Sequence, residues 1–130
     1  MDLTLSRDEA VVAEGDTLLL PLRLPWYRSL PLSALEELVV IVDGRPFTGD
    51  QVVVSVNGLD RPFPYLRAIS DDFWFVQDTA WARVHAQAAD DSVRLHVEAA
   101  WRIPYLMTGR DTAVVRRIAQ DATRRVERSA

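Results

Sequence analysis

The side chains best suited to chemistry in this sequence are two histidines, His85 and His96, and three pairs of adjacent acids. Both histidines fall on the polar side of a strand pattern, and two imidazoles without a placed carboxylate are too few ligands for a metal site. Adjacent carboxylates in a strand point to opposite faces, so they do not converge on one substrate. The chain also lacks cysteine, G-x-S-x-G and H-E-x-x-H. We therefore predict no catalytic residue and no metal ligand on this chain. The acid pairs are Glu36–Glu37, Asp71–Asp72 and Asp90–Asp91.

Aromatic side chains carry more information, above all in the stretch 25–33, "PWYRSLPLS". Trp26, Tyr27 and Arg28 stand between two prolines, which keep the segment out of regular strand pairing. Such rigid loops carry binding residues more often than strands do. A purely structural alternative stays open, in which one ring closes the end of the domain and Arg28 pairs with an acid.

The remaining rings follow the strand pattern. Trp101 lies on an apolar face and is expected in the core, and Phe73 and Phe75 are expected there with it, which turns Trp74 toward the other face. Trp81 shares a face with Arg83 and His85 and is expected near the surface.

The elements that must position these residues are mostly strands. Residues 92–103 alternate apolar and polar side chains over twelve positions, which is typical of an antiparallel sheet with one wet face. Asp43–Gly44 and Asn57–Gly58 follow two of the apolar runs and predict tight turns. Pro21 suggests that its strand lies at a sheet edge or carries a bulge. We predict an all-β fold, an antiparallel β-sandwich, in which 79–86 and 92–103 form a hairpin. The predicted strands are 17–23, 38–43, 51–57, 73–77, 79–86 and 92–103.

The end of the chain has a different pattern. Residues 110–130 carry six arginines and three acids, a net charge of +3, whereas residues 1–109 carry a net charge of −7. Apolar residues between 114 and 126 recur at helical spacing, which predicts an amphipathic α-helix over 112–127. We accordingly divide the chain into a β-sandwich domain, 1–109, and a C-terminal helical extension, 110–130.

Composition narrows the class of protein. With 130 residues and a net charge of −4, the chain fits one acidic domain, and an acidic body argues against binding nucleic acid. No apolar run approaches the roughly 20 residues of a membrane helix. The N-terminus does not resemble a signal peptide, and cysteine is absent, so we expect a cytoplasmic protein.

One stretch of the sequence resembles a known family. Residues 24–47, "LPWYRSLPLSALEELVVIVDGRPF", resemble the small β subunit of bacterial C-glycoside deglycosidases, which shows Leu-Pro-aromatic-Tyr-Arg, then Pro-Leu-Ser, then a strand ending in Val-Asp-Gly. The similarity extends through "DDFWFVQDTAWARV" (71–84) to "RIPYL" (102–106), so that it covers roughly residues 17–106. It does not include the end of the chain.

This resemblance implies a β-sandwich that binds a larger α subunit of TIM-barrel type in a hetero-oligomer. The α subunit would carry the acid–base residues and a divalent metal, which we expect to be manganese, and would cleave the C–C bond of 3-oxo-C-glycosides. No catalytic residue is carried over onto this chain. We predict that the partner-binding residues are Pro25, Trp26, Tyr27, Arg28, Pro31, Leu32, Arg102 and Tyr105.

Two other functions stay open at this point. The chain could be a stand-alone carbohydrate- or ligand-binding β-sandwich, with Trp26, Tyr27, Trp74 or Trp81 stacking on sugar rings. It could also be a homo-oligomeric interaction protein, in which the helix 112–127 packs across a two-fold axis.

Overall fold

A computed structural model describes residues 5–6, 9–24, 29–88, 90–109 and 112–128, with backbone only for 104–109 and 112–114. These residues form eleven strands and one short helix, α1 (Phe63–Leu66), with 3₁₀ turns at Leu32–Ala34 and Gly49–Gln51. The strands are β1 (Val11–Glu14), β2 (Thr17–Leu22), β3 (Leu30–Pro31), β4 (Leu35–Val42), β5 (Arg45–Phe47), β6 (Val53–Val56), β7 (Leu59–Pro62), β8 (Phe73–Trp74), β9 (Ala80–Val84), β10 (Ser92–Gly109) and β11 (Thr112–Arg128).

Nine of these strands form one sheet in the order β5-β4-β10-β11-β1-β2-β9-β6-β7, and β3 and β8 form a separate two-stranded ribbon. β1 and β11 run parallel, and the other neighbours in the large sheet are antiparallel. A single core contains buried residues from both halves of this sheet. Since the one helix among the described residues has four residues, the two halves must cover each other. The predicted all-β class is confirmed. The two layers are the two halves of one mixed sheet.

The predicted alternation in β10 is confirmed. Val93, Leu95, Val97, Trp101 and Ile103 are all nearly inaccessible to solvent, whereas the polar residues between them are exposed or half-buried. The two predicted turns are also present: Asp43, Gly44, Asn57 and Gly58 all have positive φ, as a two-residue hairpin turn of type I′ requires.

Pro21 does not mark an edge, because β2 lies inside the sheet between β1 and β9. The ladder between β1 and β2 runs from Glu14↔Thr17 to Val12↔Leu19 and has ended before it reaches Pro21. The carbonyl of Pro21 there accepts a hydrogen bond from Ser6 N at 2.8 Å. An interior strand therefore tolerates this proline because no ladder bond is needed from it on that side.

The predicted helix over 112–127 is wrong, because these residues lie in β11. β11 pairs antiparallel with β10 from Ser92↔Arg125 to Gly109↔Thr112, and parallel with β1 through Val11↔Val126. It is therefore an inner strand of the large sheet, and not a helix packed on its surface.

The spacing of apolar residues in this segment fits both structures. Ile118, Ala122 and Val126 recur every four residues, which is about one helical turn and is also an even number, so they share one face of a strand. In the structure these three side chains are buried or half-buried, whereas Ala119 is exposed. The long partner strand β10 and the β-branched residues of the segment favour the extended form.

Polar residues on the inward face of β11 hold other parts of the chain. The Oε1 atom of Gln120 accepts a hydrogen bond from Leu5 N at 3.0 Å, and Nη2 of Arg124 donates to the Ser6 carbonyl at 2.6 Å. Nη2 of Arg128 donates to the Ala88 carbonyl at 3.2 Å. These arginines and the glutamine therefore bind backbone groups of the N-terminal segment and of the loop before β10.

The predicted hairpin between 79–86 and 92–103 is also wrong. β9 pairs with β2 and β6, whereas β10 pairs with β4 and β11, so the two strands belong to different halves of the sheet. The connecting residues are longer than a typical hairpin loop of 2–5 residues. They cross between the halves and place His85 and His96 on different halves.

Candidate partner-binding surface

The ribbon of β3 and β8 holds the chain directly after residues 25–28, the first part of the predicted partner-binding segment. Leu30 pairs with Trp74 and Pro31 with Phe73, and the Ser29 hydroxyl accepts a hydrogen bond from Val76 N at 2.9 Å. Residues 25–28 immediately precede Ser29 in the sequence. The ribbon therefore fixes the position of the chain from Ser29 onward.

The rings of β8 face opposite to the sequence-based expectation. Trp74 is buried and packs edge-on against Trp101, with ring centroids 5.2 Å apart and an interplanar angle of 61°. Its Nε1 donates to the Asp78 carbonyl at 3.0 Å. Phe73 and Phe75, expected in the core, are 40% and 47% exposed. Alternation alone shows that these two rings share a side, and cannot tell which side is inward.

Asp72 fixes the start of β8. Its carboxylate accepts hydrogen bonds from Nδ2 of Asn57 at 3.0 Å and from Phe73 N at 2.9 Å, and Nη2 of Arg61 lies 3.5 Å away. The same Asn57 Nδ2 lies 2.7 Å from the Phe73 carbonyl. The hydrogen bond from Asn57, followed by that from Phe73 N and by Arg61, lowers the pKa of Asp72 against the opposing effect of burial. Asp72 is therefore ionised at neutral pH and ties β8 to the turn between β6 and β7.

The structure describes only some of the predicted partner-binding residues. Pro25, Trp26, Tyr27 and Arg28 lie outside the described residues, as does the side chain of Tyr105. Pro31 is half-buried in β3. The set as a whole stays a prediction.

Leu32 and Arg102 lie at the same end of the sheet. Leu32 is 2% exposed, so its side chain supports this end from inside. Arg102 is exposed on β10, with Nε 4.0 Å from Oε2 of Glu36 at the start of β4. This pair brings Arg102 close to the 3₁₀ turn that contains Leu32.

The outer face of β4, β10 and β11 is charged, and its charges are largely paired within the chain. Glu37 and Arg117 flank Ala100 from the two neighbouring strands and pair above it, with Oε2 and Nη1 2.5 Å apart. This ion pair covers Ala100, which is only 1% exposed although it points away from the core. The adjacent acids Glu36 and Glu37 therefore pair with arginines on two different strands, Arg102 on β10 and Arg117 on β11.

His96 lies on the same face between two carboxylates. Its Nδ1 is 2.6 Å from Oδ1 of Asp121, and its Nε2 is 3.0 Å from Oε2 of Glu98. The described residues contain no group of three His, Asp or Glu side chains placed to hold a metal ion. The arrangement suits a charged imidazolium that donates from both nitrogens.

This chain is similar to proteins described as deglycosidase beta subunits. A family model described as "C-glycoside deglycosidase beta subunit" matches residues 12–105. The chain belongs to this family. The matched range ends inside β10, so β11 lies beyond it.

Individual members of the C-glycoside deglycosidase beta subunit family support the assignment. A protein of Microbacterium sp. named "3'-dehydrocarminate deglycosidase beta subunit" is 36% identical over 99 residues, which span 75% of each chain. A C-glycoside deglycosidase beta subunit of Microbacterium trichothecenolyticum is 33% identical over 67 residues, 52% of this chain and 51% of that one. Another of Arthrobacter globiformis is 30% identical over 88 residues, 66% of this chain and 67% of that one.

Two tryptophans of this beta subunit family member bear on the alternative of a sugar-binding platform. Trp74 is 1% exposed and cannot stack on a ligand. Trp81 is half-buried on the outer face and lines a shallow groove of about 260 Å³ with Val12, Glu14 and Leu19.

Among the described residues, no helix is long and apolar enough to cross a bilayer.

The stability of this family member is expected to depend on pH through His96. The Asp121 hydrogen bond, followed by that of Glu98, raises the pKa of His96 above its ordinary value of 6.5, while burial opposes the shift. The stabilisation that comes from this raised pKa is fully present at pH values below the pKa of His96 in the unfolded state. It is lost as the pH rises through the pKa of His96 in the folded state.

The change His96→Gln tests this expectation. At about pH 5.5 it should lower the free energy of unfolding by a few tenths to about 1 kcal/mol, because these charges lie at the surface, and the difference should shrink by about pH 8.5. Urea unfolding of both proteins at the two pH values measures it. His85→Gln, whose carboxylate contact is longer at 3.4 Å and more exposed, is the control. A His96→Gln loss that is equal at both pH values would contradict the assignment.

Proposed function

We propose that this chain is the non-catalytic small subunit of a C-glycoside deglycosidase complex in the cytoplasm. Membership of the beta subunit family is the observation that carries this proposal. The larger partner would be a TIM-barrel α subunit that holds the acid–base residues and a divalent metal, expected to be manganese. That subunit would cleave the C–C bond of 3-oxo-C-glycosides by elimination.

The contribution of this chain would be to bind and support the α subunit. The predicted partner-binding segment, residues 25–33, leads into the hydrogen-bonded ribbon β3–β8, and a rigid binding segment loses little conformational entropy on association. Trp, Tyr and Arg are also the residue types that dominate interface energies. Pro31 and Arg102 would extend this surface, and Leu32 would support it from within.

The alternatives have less support. A stand-alone sugar-binding module would have to use Trp81 or the residues at 26 and 27, because Trp74 is buried. The homo-oligomer with a helix across a two-fold axis loses its basis, because Thr112–Arg128 form a strand inside the sheet.

Co-expression with the α subunit of a C-glycoside deglycosidase tests the proposal. We expect a stable complex that releases the aglycone from a 3-oxo-C-glycoside, with no turnover by this chain alone and at least about 10-fold less by the larger subunit alone. No complex, or turnover by this chain alone with a bound metal, would overturn the proposal.

Variants of the predicted segment refine the same experiment. Trp26→Ala and Arg28→Ala are each expected to weaken binding of the larger subunit by about 10-fold or more, as hot-spot truncations do. Arg125→Ala, an exposed change on β11, is the control. Undiminished binding of both variants would remove this segment from the interface.

A further inference from the structure

An apolar patch of this chain has no cover among the described residues. It consists of Phe73 and Phe75, which are 40% and 47% exposed; we call these two residues the ring patch. Nδ2 of Asn57 donates to the Phe73 carbonyl, so the patch borders the turn between β6 and β7. Large side chains that are neighbours and stay exposed mark an interaction surface.

The backbone that carries the ring patch is fixed before any partner arrives. The Asp72 carboxylate holds Asn57 and Phe73 N, and Trp74 is anchored in the core next to Trp101. Asp78 N donates to the Phe75 carbonyl at 2.9 Å, which closes the turn after the second ring. A preorganised patch of this kind loses little conformational freedom when it docks.

The segment that carries the ring patch is acidic. Residues 59–78 contain four aspartates and two arginines, a net charge of −2. Asp60 is engaged by Ser55 and Arg83, and Asp72 by Asn57 and Arg61. Asp71 is exposed two residues before Phe73, and no hydrogen bond or ion pair to it is found within the described part of the chain.

This charge selects among possible occupants. Two copies of the chain that met through the ring patch would bring their acidic borders together, and like charges across an interface are unfavourable. A surface with an apolar recess bordered by arginine or lysine would be complementary instead. The ribbon also connects the patch directly to the predicted partner-binding segment through the pair Pro31↔Phe73.

We infer that the ring patch docks the larger subunit, and that the matching surface of that subunit is an apolar recess with a basic border. This inference rests on the proposed function and adds the location and chemistry of a contact beyond residues 25–33. Phe73 and Phe75 supply the apolar contact, and Asp71 supplies an exposed carboxylate for a cation of the partner. Electrostatic attraction across such a border accelerates association at low ionic strength.

Binding kinetics of the purified larger subunit with four variants test the inference. Phe73→Ser combined with Phe75→Ser is expected to raise Kd by about 10-fold or more, mainly through faster dissociation. Asp71→Arg is expected to slow association several-fold at low salt, and to reduce the difference in rate between about 50 and about 500 mM salt. Ala119→Ser and Glu127→Arg, an apolar-to-polar change and an acid-to-arginine change at exposed positions of β11, are the controls and should bind like the unaltered chain.

The outcomes separate this inference from the proposed function. If the unaltered chain does not bind the larger subunit, the proposed function fails. If it binds and the ring and Asp71 variants bind equally well, the inference is overturned while the proposed function stands. Circular dichroism checks that each variant is folded, and Phe75→Ser alone, which lies outside the paired residues of the ribbon, replaces the double variant if that one unfolds.

Discussion

Removal of residues 110–130 is expected to abolish folding of this chain. β11 lies between β10 and β1, so the truncation would separate the two halves of the sheet. It would also expose the inward face opposite Ile118 and Val126, and leave Leu5 and Ser6 without the side chains that bind them. Circular dichroism and urea unfolding of the fragment 1–109 should show no cooperative transition.

Removal of residues 129 and 130 alone is the control for this truncation and should leave the unfolding transition unchanged. A fragment 1–109 that unfolds cooperatively would contradict the position of β11 and would support the predicted division of the chain at residue 109.

Two neighbouring substitutions test the strand without truncation. Ile118 is 9% exposed, so Ile118→Asp should cost about 2 kcal/mol or more, because it places a carboxylate in the core. Ala119 is exposed, and Ala119→Asp should change the free energy of unfolding by less than about 0.5 kcal/mol. A helix would place both residues on its apolar face, so equal losses would favour the helix.

Replacement of either core tryptophan by alanine is expected to lower the free energy of unfolding by about 3–5 kcal/mol. Trp74 and Trp101 are both about 1% exposed and contact each other edge to face. Since small domains are stable by only about 5–15 kcal/mol, either change should leave the protein marginally folded. Urea unfolding measures the loss, and the double variant should show a coupling of about 0.5–1.5 kcal/mol between the rings.

Replacement by phenylalanine separates packing from hydrogen bonding. Nε1 of Trp74 donates to Asp78, whereas Nε1 of Trp101 is buried without an acceptor among the residues described. Trp74→Phe should therefore cost about 1 kcal/mol more than Trp101→Phe, because only the first removes a hydrogen bond. The reverse order would contradict the hydrogen-bond assignment.

The local sequence pattern was sufficient to predict two kinds of feature. One is a strand whose side chains alternate over many residues, and the other is a tight turn that needs particular residues. The buried face of β10 follows from strict alternation, and the turns at Asp43–Gly44 and Asn57–Gly58 follow from residues that tolerate positive φ. The motif at 24–33 likewise placed the chain in its family. These features depend on neighbours in the sequence, which the sequence displays directly.

Only part of the candidate surface could be predicted from the sequence. The segment 25–33 was proposed from its prolines and rings, but Phe73 and Phe75 were expected in the core. The pair Asp71–Asp72 just before them was the available signal, because aspartates are mostly exposed. Only the contact of Trp74 with Trp101 decides which side of β8 faces inward.

By itself, then, the amino-acid sequence determined an all-β domain, its long alternating strand, its tight turns and its family. The tertiary structure alone decided that Thr112–Arg128 form an inner strand, that β9 and β10 lie in different halves, and that Phe73 and Phe75 point outward while Trp74 points into the core. The physical reason is the same in each case. A spacing of four residues fits a helix and a strand alike, and a two-residue period has two equivalent faces, so the choice depends on partner residues that are far away in the chain.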